Sequence, residues 1–162
     1  MPPTSDLALD AMPDAEADVV DLLRGLIRID TTNAGERPET VGEIEAATYA
    51  ADVLRDAGFD PQPFHTTSAR RAGLVLRIPG TDPDASHRGL LLHGHLDVVP
   101  AQAGDWTHPP FAAEIATDPA SGLDMVWGRG AVDMKDMVAM ILAVARHWGR
   151  TGARPRRDVV IL

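Results

Sequence analysis

The stretch Gly89-Leu90-Leu91-Leu92-His93-Gly94-His95-Leu96-Asp97-Val98-Val99-Pro100 decides the reading of the fold. Its first five residues are a short apolar run bounded by polar residues, the pattern of a buried strand over 89–93. The carboxyl end of that strand opens into the segment that carries His95 and Asp97. Outward toward the C-terminus, residues 100–110 hold Pro100, Pro109 and Pro110 and read as loop. Phe111–Ala116 and Leu123–Trp127 suit a hairpin around Ser121-Gly122. Lys135–Trp148 is a strongly apolar helix with Met137, Met140, Ile141, Val144 and Ala145 on one face, and Asp158–Leu162 begins another strand. Outward toward the N-terminus, Gly73–Ile78 alternates around Leu74, Val75 and Leu76 as a strand, and Thr81–His87 is a polar turn. A helix is expected over about 39–57, stopped by Gly58. Another is expected over about 13–29, with Pro13 at its first position and Val19, Leu22, Leu23, Leu26 and Ile27 at helical spacing. Residues 1–12 read as a loose leader, and 13–162 as part of one domain. Helices alternating with buried strands make the class α/β, a sheet sandwiched by helices.

At 162 residues the chain is long enough for one domain with a core, burying roughly 70% of its unfolded surface. It has 44% hydrophobic and 24% charged residues, ordinary globular values. A net charge of −9 argues against a nucleic-acid footprint, and the short basic cluster Arg150–Arg157 suits a solvated loop. The absence of cysteine excludes disulfides, thiolate metal sites and cysteine nucleophiles. Any metal must be held by His, Asp or Glu. Met1–Asp10 lacks the pattern of a secretion signal, and no apolar run is long enough to span a membrane. The expectation is a soluble cytoplasmic protein. The apolar end Val159–Leu162 has two open readings, a natural terminal strand or a chain cut inside its core.

Two constellations carry chemistry. In the first, His95 and Asp97 are two apart, so in extended chain they project to one side of a strand end, where ligands bind in open α/β sheets. A metal-binding histidine commonly donates its other ring N–H to a carboxylate. Taken alone, an H-x-D pair is read first as two polar residues capping a turn. The second is Trp127-Gly128-Arg129-Gly130-Ala131-Val132-Asp133-Met134-Lys135-Asp136. A dinucleotide loop would need glycine at 133, and no Gly-Lys-Ser/Thr follows, so the phosphate readings fail. Asp133 sits at a loop-to-helix junction, where it can point into a site or serve as an N-cap. His95 and Asp133 are both hard metal ligands, suited to zinc or, for the carboxylate, manganese. His93 reads as a structural neighbour facing away from His95. His65, His87 and His147 read as solvent-facing or packing residues, the tryptophans as packing, and the Met134, Met137, Met140 series as helix core.

The stretches 93–100 and 128–135 resemble the two N-terminal signatures of one hydrolase family. It contains acetylornithine deacetylase, succinyl-diaminopimelate desuccinylase, aminoacylase and glutamate carboxypeptidase. The resemblance extends to Trp106, the Pro110-Phe111 pair and the helical start before Asp30-Thr31-Thr32, and runs from about Ala15 to Leu162. It implies a zinc-exopeptidase-like fold with helices packed on both faces of a mixed, mostly parallel sheet. It further implies that His95 binds one zinc, that Asp97 is the catalytic acid that orients it, and that Asp133 bridges two metal ions. The peptide bond Asp133–Met134 would be cis. Many members have glycine where this chain has Asp136.

The activity implied is metal-dependent hydrolysis of N-acyl amino acids or small peptides by a two-zinc-activated water. Zinc is the expected metal, with cobalt or manganese as alternatives, and the parent would be a homodimer without nucleic-acid or membrane partners. Relatives place a pair of glutamates after the strand equivalent to 158–162, then a later acid, a distant histidine and a dimerisation domain. The expectation is therefore an N-terminal part of such an enzyme, inactive alone. The rivals are an inactive fragment and a metal-binding or interaction module that keeps the fold. Substrate identity lies outside what these residues specify.

Overall fold

The first helix buries one face and shows why the chain folds around it. In the computed structural model, which describes residues 15–66, 70–82, 84 and 88–162, helix α1 spans Ala15–Arg28. Leu22, Leu23, Leu26 and Ile27 recur on one side of it and are buried in the core. The expected leader, Pro13, Asp14 and His87 lie outside the described residues. Helix α2 spans Ile44–Asp56 and buries Ala46, Ala47, Ala50, Ala51, Val53 and Leu54. It starts later than the sequence expectation because Gly42 has φ 95°, a left-handed conformation that a right-handed helix does not accept. Helix α3, Lys135–Thr151, ends at Gly152 in the left-handed conformation that helix ends favour.

The strands are β1 (Gln62–His65), β2 (Ala72–Ile78), β3 (Leu90–Leu92), β4 (Glu114–Thr117), β5 (Asp124–Trp127) and β6 (Val159–Ile161). Four of them form a sheet in the order β1-β2-β6-β3, and β4-β5 is a separate hairpin. The last strand thus lies inside the sheet, between β2 and β3. Leu76, Ile161 and Leu92 form one cross-strand row, and Ile78, Val159 and Leu90 another. β3 and β6 run parallel, which requires a crossover, and the connection between them carries the hairpin and α3.

The α/β class and the mixed sheet agree with expectation. Among the named strands parallel pairing is confined to β3–β6, because β1–β2, β2–β6 and β4–β5 are antiparallel. All three helices share one core with Leu74, Leu76, Ile78, Val159 and Ile161. By strand alternation, the other face carries Val75, Arg77, Val160 and Leu91, the last 57% exposed. Each fully buried leucine or isoleucine of the core, such as Leu26, Ile27 and Leu142, contributes about 1.5–3 kcal/mol.

The phase of α3 departs from the expected one. Val138, Ala139, Leu142, Ala143 and Ala145 face inward, whereas Met137 and Met140 are exposed. A helix apolar on most sides does not fix its own rotation. Here small Ala139, Ala143 and Ala145 turn inward, letting neighbouring backbones approach closely, and the methionines turn out.

Candidate functional site

The carboxyl end of β3 delivers the first site residues. Gly94 follows it with its backbone N–H on the Leu162 carbonyl, and a side chain at Gly94 would lie 2.7 Å from Val138 Cγ2. Glycine therefore lets segment 93–97 pass against the first turn of α3. That puts His95 beside the loop 128–134, whose Gly130 adopts φ 82° and packs its α-carbon toward Val98.

Lys135 anchors this loop. Its side chain is 0% exposed, and its ammonium donates to the Leu26 and Ile29 carbonyls, 2.9 Å each. Those carbonyls belong to the end of α1, where a cation complements the helix dipole. Burial pushes the Lys135 pKa down to about 8, and Asp30 partly opposes the shift. The loop is thus pinned on both sides of Asp133, and the Asp133–Met134 peptide bond is cis, as the family resemblance implies.

His95 and Asp133 meet: Nε2 lies 3.1 Å from Oδ1. On its other side His95 Nδ1 lies 3.0 Å from the Asp97 carbonyl oxygen and 3.2 Å from its carboxylate Oδ1. Asp133 does not cap α3. The N-cap position is Met134, with no side-chain cap bond, and the Asp133 side chain is 89% exposed.

The chemistry of this trio is specific. A neutral imidazole has one N–H. With Asp97 accepting from Nδ1–H, Nε2 presents a lone pair to a carboxylate oxygen. Two acceptors at 3.1 Å repel unless a cation or proton lies between them. Two tetrahedral ligands at zinc bond lengths of about 2.0–2.1 Å stand about 3.3 Å apart, so the donor pair fits one metal ion. Among the described residues no three or more His, Asp or Glu side chains are placed to hold one metal ion together.

Several neighbours escaped the sequence reading. Asn33 Nδ2 donates to Asp97 Oδ2 at 2.7 Å. Arg71 bridges Asp97 and Glu43, with ion-pair distances of 3.6 and 3.1 Å. Glu43 is 5% exposed, and burial raises its pKa while Arg71 opposes the rise. No local motif marks these residues, since they reach Asp97 from 26 to 64 positions away.

His93, expected as a structural neighbour turned away, is exposed and lines with His95 an apolar cavity of about 280 Å³. His65 is exposed, as expected. His108, which drew no sequence reading, donates its Nδ1–H to Glu114 Oε2 over 2.8 Å and packs its ring on Trp127. Trp106 stacks under the Arg129 guanidinium.

The sequence model of peptidase family M20/M25/M40 matches residues 91–162, the stretch that holds His95, Asp97 and Asp133. The match covers 72 of the 162 residues, and the resemblance to this family is carried by that stretch. The fold of the chain is similar to that of human carnosine dipeptidase 1, with TM-score 0.66 and 20% identity, covering 94% of this chain and 32% of that one. It is also similar to the dipeptidase Dug1p from Saccharomyces cerevisiae, with TM-score 0.63 and 23% identity over 94% and 32% of the two chains. A Zn-dependent exopeptidase from Parabacteroides distasonis matches with TM-score 0.51 and 18% identity over 91% and 45%. The chain thus spans about a third of the length of the two dipeptidases.

Proposed function

We propose that this chain is the N-terminal, metal-binding part of a zinc-dependent hydrolase that cleaves amide bonds of small peptides or N-acyl amino acids. The observation that carries the reading is the 3.1 Å approach of His95 Nε2 to Asp133 Oδ1, with Nδ1 held by Asp97. The M20/M25/M40 match and the zinc dependence of the exopeptidase from Parabacteroides distasonis support it.

When bound, the metal supplies Lewis acidity, which polarises a carbonyl and lowers the pKa of water. The chain's own residues do the rest. His95 offers the Nε2 lone pair. Asp97 holds the Nδ1 proton, fixing the tautomer and raising the basicity of the imidazole. Asp133, exposed on a pinned loop, has one oxygen toward His95 and the other free, the arrangement a bridging carboxylate between two ions needs. Zinc is the favoured ion, with cobalt or manganese as substitutes.

A catalytic zinc normally takes three protein ligands and a water, and His95 and Asp133 are two. The 162 residues alone therefore bind zinc weakly and do not turn over. In a protein that adds the remaining ligands, Asp133→Ala removes hydrolysis of dipeptides and N-acyl amino acids almost entirely. Asp97→Ala lowers it about 10–100-fold. Near-normal turnover by a correctly folded Asp133→Ala protein would sink the assignment.

A further inference from the structure

We propose that Asn33 and Arg71 are positioning residues that fix the Asp97 carboxylate, and through it the tautomer and aim of His95. The inference rests on the reading of His95 as a metal ligand.

A carboxylate has two equivalent oxygens until one is tied down. Here the two are divided. Oδ2 accepts from Asn33 Nδ2 at 2.7 Å and faces the Arg71 guanidinium at 3.6 Å. Oδ1 is left to His95 Nδ1 at 3.2 Å, beside the Asp97 backbone carbonyl at 3.0 Å, so Nδ1–H faces two acceptors of one residue. The Asn33 amide has a defined orientation, because its Oδ1 accepts the Gly35 backbone N–H at 3.0 Å, which turns the NH2 group toward Asp97.

The backbone on both sides of Asp97 is tied to the same segment. Thr31 Oγ1 donates to the Leu96 carbonyl at 2.6 Å. The Val98 N–H donates to the Thr31 carbonyl at 3.1 Å, and the Asn33 N–H to the Val98 carbonyl at 2.8 Å. Thr32 and Val98 form a parallel bridge. Residues 31–33 therefore hold residues 96–98 in register, and the Asn33 side chain reaches the one carboxylate in that register. Arg71 is held in turn by Glu43, a buried residue whose backbone N–H donates to the Arg70 carbonyl at 3.0 Å. The guanidinium supplies the positive charge between two carboxylates that would otherwise repel.

A purely structural role would tie the 30–34 segment to the sheet without affecting His95. The two roles differ in what the imidazole does. With Oδ2 released, the Asp97 carboxylate can rotate away and leave only the backbone carbonyl at Nδ1, and part of the His95 population can move its proton to Nε2, toward the charged Asp133 carboxylate. That tautomer has no lone pair on Nε2, the nitrogen that faces Asp133.

The test uses the metal-free 162-residue chain labelled with ¹⁵N at histidine. Long-range ¹H–¹⁵N spectra are recorded about two units above the ordinary imidazole pKa of about 6.5. Wild type should show His95 protonated at Nδ1. Asn33→Ala should show a mixture of tautomers or Nε2–H, and should weaken zinc binding about 10–100-fold by calorimetry. Adding Asn33→Ala to Asp97→Asn should weaken it no further, because both act through one group. Arg71→Gln, at a half-exposed position, serves if Asn33→Ala does not fold, and Arg71→Lys should retain the wild-type tautomer. An unchanged Nδ1–H tautomer and unchanged zinc affinity in folded Asn33→Ala or Arg71→Gln would overturn the proposal. If wild type itself binds no zinc, the metal-ligand reading fails, while the tautomer shift still decides whether Asn33 and Arg71 position His95.

Discussion

Replacing Lys135 by methionine separates two opposed effects at the junction of α1 and α3. Methionine keeps the length and most of the apolar volume but removes the donor to Leu26 and Ile29. Two buried carbonyls left without a partner cost about 1–3 kcal/mol each, or about 2–6 kcal/mol together. Against this stands the burial of a charge. A pKa lowered from 10.5 to about 8 corresponds to about 3 kcal/mol disfavouring the ammonium in the fold, a penalty that methionine does not carry. Near pH 7 the two effects offset, and Lys135→Met should lose no more than about 3 kcal/mol. Between the folded and unfolded pKa values the unfolded chain holds a proton that the folded chain has released, so wild-type stability rises with pH. The rise should be about 2 kcal/mol from pH 7 to 9.5, and the neutral amine still donates to both carbonyls. The gap between wild type and Lys135→Met should therefore widen by that amount. Urea unfolding followed by tryptophan fluorescence at pH 7, 8 and 9.5 measures it. A gap that stays constant or narrows with pH would show that Lys135 remains charged in the fold and would refute the reasoning.

Three further outcomes are expected. Leu142→Ala, at a fully buried α3 position, should lower unfolding stability by about 2–5 kcal/mol, measured by denaturant titration. Gly130→Ala forces a side chain into φ 82° and to within 2.7 Å of Val98 Cγ1. It should cost about 1–3 kcal/mol and weaken zinc binding, read by thermal melts and calorimetry on the same sample. Asp158 is held below the ordinary carboxylate range by the Gly80 N–H and then by Arg77. Its stabilisation is present above the unfolded pKa and is lost as pH falls through the folded one, so Asp158→Asn should flatten the acid limb of a stability-against-pH curve.

The parts of this molecule that were legible in the sequence are those with a local signature. The apolar run 89–93 located β3, and Gly122 with its neighbours located the β4–β5 turn. The two motifs located His95, Asp97 and Asp133. What was not legible depends on choices made between distant segments. β1 carries Pro63 and four exposed residues, so neither apolar alternation nor burial marks it, and only its pairing with β2 makes it a strand. The outward turn of Met137 and Met140 was hidden because α3 is apolar on most sides, and packing against α1 chose its phase. The antiparallel β2–β6 pairing depends on where the crossover from β3 re-enters the sheet. Asn33, Glu43 and Arg71 surround Asp97 through tertiary contacts, and no spacing rule links them to it.

The central claim is that His95 and Asp133 form two ligands of one metal site. Calorimetric titration of zinc into the metal-free chain, repeated for His95→Ala and Asp133→Ala, tests it most directly. The wild type should bind zinc saturably but weakly, and each variant should lose at least about tenfold in affinity. Isotherms indistinguishable from wild type in both folded variants would contradict it.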